Sequence, residues 1–181
     1  MARLLRAAEA VIAEHGHEAA TMCAIAERAG SSVGSLYQFF PNKDAVVQAL
    51  CTGFVEASDS LWKDLTARAP KLDAGQLAGR MLALPLDIAK DHPAFLPLID
   101  FPATAHSRRR YQIIRERIAG ALRARQPRLS RPQALRIASV AHQIIRGCLT
   151  LCARSPIEER SGIIGEFRVV IEGYLRERLG V

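Results

Sequence analysis

Between positions 29 and 46 the chain reads AGSSVGSLYQFFPNKDAV, and this stretch holds the residues best suited to chemistry. Ser32, Ser35 and Tyr37 carry hydroxyl donors and Lys43 carries an ammonium. Ser32, Val33, Gly34 and Ser35 are small enough to let the backbone come close to a large partner. Hydroxyls, an ammonium and an approaching backbone suit phosphate oxygens, so the implied chemistry is recognition of a nucleic-acid backbone. A hydrophobic core would take the three aromatics Tyr37, Phe39 and Phe40, but not so many hydroxyls and a lysine beside them. Nothing in the chain reads as a nucleophile elbow, a phosphate loop or a metal-ligand cluster, and the His–Glu neighbours near the end of the first helix lack zinc spacing. The expectation is therefore no enzyme, no cofactor and no metal. Cys148 and Cys152 share a helix face and read as small core thiols, because a zinc site wants about four ligands.

The elements that must position these groups are helical. The chain has 181 residues, 49% hydrophobic and 24% charged, as in an ordinary globular protein. No apolar run approaches the ~20 residues of a membrane helix, and the amphipathic N-terminus lacks a secretory block, so a cytoplasmic protein with no membrane partner is expected. The net charge of +7 suits a polyanionic partner, yet residues 1–45 hold more acids than bases and the arginines crowd into 107–136. Leu4, Ala8, Val11 and Ile12 make the stripe of a first helix ending at Gly16. Thr21 caps a second helix stopped by Gly30, Ser32 a third closed by Pro41, and Asn42 a long fourth that keeps its spacing to about Pro70. Asp73 and Gln76 open a fifth as a capping box, and Pro85 inside it should kink or break it. PAFLPLID is a short sixth piece, and Tyr111, Ile114, Ile118 and Leu122 mark a seventh. Ser130 and Gln133 cap an eighth reaching about Arg154, and Ser155, Pro156 and Glu158 cap a ninth.

Two short helices joined by AGSS form a helix-turn-helix, whose second helix lies in a DNA major groove. Leu36 and Phe40, four apart, face the core, and Tyr37 falls on the other side. Here the sequence resembles the tetracycline-repressor (TetR/AcrR) family of transcriptional regulators, on T-x-x-x-IA-x-x-AG-x-S-x-GSLY-x-x-F-x-x-K from Thr21 to Lys43. The likeness is close over roughly the first 50 residues; beyond them only helix number and length match. The resemblance implies an all-α fold of about nine helices. An N-terminal three-helix DNA-binding domain (1–45) would pack on a larger C-terminal ligand-binding and dimerisation domain (46–181). It implies that Thr21, Ser35, Tyr37 and Lys43 contact phosphates, and that Val33, Cys23 and Gln38 lie at or near base-contact positions, with Ser32 and Gly34 at the same surface. Val33 stands where Lys, Arg or Gln is common, so it can meet a thymine methyl but makes no bidentate hydrogen bond.

By the same resemblance the last two long helices pair with a second subunit, and Ile137, Ala141, Ile144, Phe167, Ile171 and Tyr174 are the expected homodimer contacts. An effector cavity is expected among the fifth, seventh and eighth helices, largely apolar, lined by Met81, Phe95, Phe101, Tyr111, Ile114 and Cys148, with Tyr111, His106 or His142 as polar anchors. Most arginines of the 107–136 block are expected in solvent; the alternative is that one or two reach an acidic ligand or add to the field that attracts DNA. The function implied is a ligand-responsive regulator, most readily a repressor, binding double-stranded DNA at a palindromic operator as a homodimer. Its alternative is a dimeric helical ligand-binding or interaction protein of the same fold with weak or lost DNA binding.

Overall fold

The structure, a computed structural model, describes residues 1–101 and 105–180, with Ala105 and His106 described as backbone only. Local signals set most helix starts. Thr21, Ser32 and Asn42 each accept a backbone N–H from three residues on, at 3.1, 3.1 and 2.9 Å, and so open α2 (Met22–Arg28), α3 (Val33–Phe39) and α4 (Lys43–Ala57). Before them, α1 (Ala2–Ala19) buries Leu4, Ala8, Val11 and Ile12. It turns at Gly16, whose φ of 78° only glycine adopts freely, and one further turn follows. Arg28 grips Glu14 through both guanidinium nitrogens and ties α2 to α1.

The long fourth helix expected from periodicity is two helices. α4 ends at Ser58, and α5 (Asp59–Arg68) leaves it in a new phase. The buried Ser58 turns its hydroxyl back onto the Val55 carbonyl at 2.7 Å. After the break Trp62 and Leu65 face inward while Leu61 is exposed, the reverse of what an unbroken helix would do with Leu61.

A 3₁₀ turn (Ala69–Lys71) leads to α6 (Ala74–Asp91), opened by the expected capping box of Asp73 and Gln76. This helix runs on across Pro85. Burial of Met81, Leu82, Leu84 and Ile88 holds it against the missing N–H at Pro85 and the crowding of the Met81 carbonyl. The short sixth piece, residues 93–100, is a chain of turns, because Pro93 and Pro97 remove donors. Then come α7 (Ala105–Arg125), α8 (Arg131–Arg154) and α9 (Ile157–Leu179). Ser130 and Gln133 box the start of α8, as expected. The start of α9 has no side-chain cap: Ser155 ends α8, and Pro156 holds the cap position with nothing to offer.

In packing, α1 meets α2 and α4, α7 lies against α5 and α8, and α9 covers α6 and α8. Among the described residues no helix is long and apolar enough to cross a membrane, and no group of three His, Cys, Asp or Glu side chains is placed to hold a metal.

Candidate DNA-reading surface and effector cavity

The α2–turn–α3 unit is shaped by its buried side. Ile25, Ala26, Ala29, Leu36 and Phe40 are buried, which leaves one face open. On that face Thr21, Cys23, Ser32, Gly34, Tyr37 and Gln38 are exposed, and Val33 and Ser35 are half-buried. Two large rings stay in solvent here: Tyr37 is 50% and Phe39 53% exposed. The Thr21 and Ser32 oxygens already accept from their own helices, and the Ser32 and Ser35 hydroxyls lie 2.9 Å apart. Gly34 has no such internal duty. Its φ is not positive, and a Cβ placed there would find only Ser32 Oγ, at 3.9 Å.

Lys43 stands apart from the other expected phosphate contacts. Its ammonium donates to the carbonyls of His17 at 2.8 Å and Glu18 at 3.0 Å, so it finishes α1 while opening α4. Two of its three N–H donors are engaged, and one remains. The sequence carries no sign of this bond, because the partners lie more than twenty positions away.

Behind this unit lies a cavity of about 420 Å³, within the range of small-molecule sites. Met81, Phe95, Phe101, Tyr111, Ile114 and His142 line it, as expected. Cys148 does not. His142, Ile145, Arg146 and Leu149 form the facing stripe of α8, and Cys148 is turned about 100° from Leu149 around the helix. There Cys148 is buried, and burial first, then the neighbouring Cys152, pushes its thiol up to about 12. The expected anchor His106 lies outside the described side chains.

The sequence reading missed the α4–α5 wall of Cys51, Phe54, Val55 and Ser58, and the polar lining of Arg108, Arg110, Gln143 and Arg146. Trp62 adds a further aromatic wall. His142 packs its ring edge-on against Tyr111 at 5.0 Å, and burial, assisted by Arg146, lowers its pKa from 6.5 to about 4. At neutral pH it is therefore a neutral imidazole.

Among the described residues, the cavity wall meets α1 in a ring contact. Phe101, in its wall, meets His17 edge-on at 4.9 Å, and the His17 carbonyl is one that Lys43 holds. A second tie joins α1 to the turns beside the cavity, where Glu9 lies 3.1 Å from His92. Between α4 and α7, Arg117 donates to the Val55 carbonyl, the Ser58 hydroxyl and the Asp59 carboxylate at 2.8, 2.9 and 2.9 Å. So this arginine is not one of the solvated block.

Of the expected dimer contacts, Ala141 and Ile171 are fully buried within the protomer and Ile137 is buried too, so none of these offers surface to a partner. The reason is phase: α8 and α9 each sink that side against the other helices of the same chain. Ile144, Phe167 and Tyr174 are half-buried. Beside them stand exposed Val140 and Leu151 on α8 and Val169 and Val170 on α9. Phe167 lies over Gly147, where a Cβ would come within 3.3 Å of the ring.

Residues 4–50 match the family model of bacterial regulatory proteins of the tetR family, and residues 76–175 match that of the tetracyclin repressor-like C-terminal domain. A 69-residue stretch is 44% identical to the HTH-type transcriptional repressor KstR of Rhodococcus jostii (strain RHA1), covering 38% of this chain and 32% of that protein. The matched stretch is thus about a third of that repressor's length. A TetR-family regulator from Streptomyces coelicolor superposes with a TM-score of 0.73 at 26% identity, over 98% of each chain. The regulator FadR of Bacillus subtilis, in complex with stearoyl-CoA, superposes with a TM-score of 0.68 at 15% identity, over 96% of this chain and 97% of its own.

Proposed function

The chain belongs to the tetR family of bacterial transcriptional regulators, and from that premise we propose that it is a cytoplasmic repressor binding a palindromic operator as a homodimer and answering to a small effector. Residues 1–45 are the reading unit in this proposal and 46–181 carry the effector cavity and the dimer face. Gly34 carries the DNA-binding part. Gly34 sits in the first turn of α3 on the open face with Ser32, Ser35 and Tyr37, and without a Cβ it lets the backbone approach a duplex there. Around it Ser35 and Tyr37 donate to phosphates, the remaining Lys43 donor takes another, and Val33, Gln38 and Cys23 lie against bases. The repressor role of KstR supports the sign of regulation only for the stretch the two chains share.

The partner face is the stripe of Val140, Ile144 and Leu151 on α8 against Phe167, Val170 and Tyr174 on α9. Two such faces related by a two-fold axis close a four-helix interface and set the two α3 helices ~34–36 Å apart, one turn of DNA. An effector that shifts Phe101 acts on His17 and, through its carbonyl, on Lys43 at the head of α4. Motion of α7 reaches the α4–α5 break through Arg117. A coupling of about 1–3 kcal/mol is typical of such switches.

The deciding experiment is selection of bound sequences from random DNA at low salt. Enrichment of an inverted repeat, with affinity that falls steeply with salt, is the expected result. No enrichment from a folded dimer would leave the alternative, a ligand-binding protein of this fold without DNA binding.

A further inference from the structure

The cavity has a second chemistry beside its apolar wall. Its described lining carries Arg108, Arg110 and Arg146 and no Asp or Glu. Arg108 and Arg146 are exposed, so water solvates them at the rim. Arg110 is half-buried, and its Nη1 is shut off from solvent with no hydrogen-bond partner. Its field reaches the Cys51 thiol across the cavity, where it opposes the upward push of burial. His142, in the same wall, likewise has Nδ1 buried and unpaired. Buried polar groups are ordinarily paired within the protein, and a dry guanidinium N–H left without an acceptor is costly. Arg110 and His142 nevertheless both belong to the lining of an empty volume of ligand size, so a shift of either side chain toward a bound acceptor would give its nitrogen a partner.

We propose that the effector is an amphipathic anion, an organic acid whose apolar body fills the wall around Trp62, Phe95, Phe101 and Met81 and whose charged head pairs with Arg110. The proposal rests on reading the cavity as the effector site. A guanidinium presents parallel donors that fit a carboxylate or similar oxyanion, and a charge-assisted bond is stronger than a neutral one. The aromatic and aliphatic wall demands the apolar body, so a small inorganic anion satisfies only the arginine.

Trp62 is the single tryptophan and stands in the wall, so energy transfer from it to a bound dye reports occupancy without DNA. The probes are anilinonaphthalene sulfonate and its uncharged parent N-phenylnaphthylamine, which share one apolar body. The full-length protein is expected to bind the sulfonate about tenfold more tightly or better. Arg110→Met should erase that preference and leave the neutral probe within about twofold, Arg110→Lys should restore part of it, and Arg128→Met, at an exposed turn arginine, should change neither. Equal binding of the two probes by the wild type overturns the anion proposal and leaves an effector cavity in place. So does a folded Arg110→Met variant with the preference intact. Binding of neither probe overturns the cavity reading as well. Should Arg110→Met not fold, the wild-type ratio decides.

Discussion

At Gly34 there is room for a methyl group, so Gly34→Ala separates folding from reading. Alanine is the better helix residue by up to about 1 kcal/mol, so the urea midpoint should hold or rise while operator affinity falls. A variant that binds DNA as well as wild type would remove the argument for a close approach. Lys43 behaves in the opposite way, because it serves two masters. Lys43→Ala deletes two bonds to the end of α1 and should cost about 1 kcal/mol of stability. It should also lower the salt slope of DNA binding by about one. Lost stability with an unchanged slope would make Lys43 a structural residue alone. His142 sets an acid limit. Its folded pKa of about 4 lies below the ordinary 6.5, so the unfolded chain takes up the proton first. The folded state therefore loses stability as pH falls from 6.5 towards 4, by at most about 3 kcal/mol, and above 6.5 the residue is neutral in both states. Urea unfolding at the two ends of that window should show a smaller drop for His142→Gln. The caps Thr21, Ser32 and Asn42 were legible in the sequence because a cap and its donor lie three positions apart. The partners of Lys43 and the unpaired nitrogens of Arg110 and His142 were not, because tertiary packing alone sets them.

Among elements, the junction of α4 and α5 carries the sharpest consequence. Periodicity read it as one helix, since Val47, Leu50 and Phe54 continue into Leu61 and Leu65 at helical spacing. At the break sits Arg117, an α7 residue 18% exposed that occupies the Val55 carbonyl in the last turn of α4, the Ser58 hydroxyl and the Asp59 carboxylate together. Arg117→Met strips all three, leaves Ser58 buried with less to bond, and should destabilise the protein by about 2–4 kcal/mol, read from urea unfolding followed by circular dichroism. Ser58→Ala removes one partner and should cost about 1 kcal/mol. If Arg117→Met costs no more than Ser58→Ala, the junction is set by α4 itself. Pro85 teaches the converse: a residue that breaks isolated helices sits inside α6 because burial on either side outweighs one lost donor.

For the molecule as a whole, neighbouring positions on α9 divide assembly from folding. Val170 is 53% exposed and Ile171 fully buried in the same protomer. Val170→Glu should give a monomer by sedimentation with an unchanged dichroism spectrum, while Ile171→Glu should unfold the chain, since it buries an unpaired charge. A Val170→Glu protein that stays dimeric would move the interface off this face. The apolar stripes of α8 and α9 were visible in the sequence, but not which side of each stripe the protomer uses for itself, because that depends on the phase of α6 and α7 against them. The cavity was likewise visible in part: its aromatic residues could be named, and its α4–α5 wall could not, since the break at Ser58 creates it. If the chain works as proposed, the contact of Phe101 with His17 joins the effector cavity to the DNA-reading helices. Thermodynamic linkage then runs both ways along it: whatever factor the effector imposes on operator affinity, the operator must impose on effector affinity. On the proposed function, the operator is in that sense a competitor of the effector. A cell with many operator copies would need more effector to clear each one, and the response threshold would be written partly in DNA.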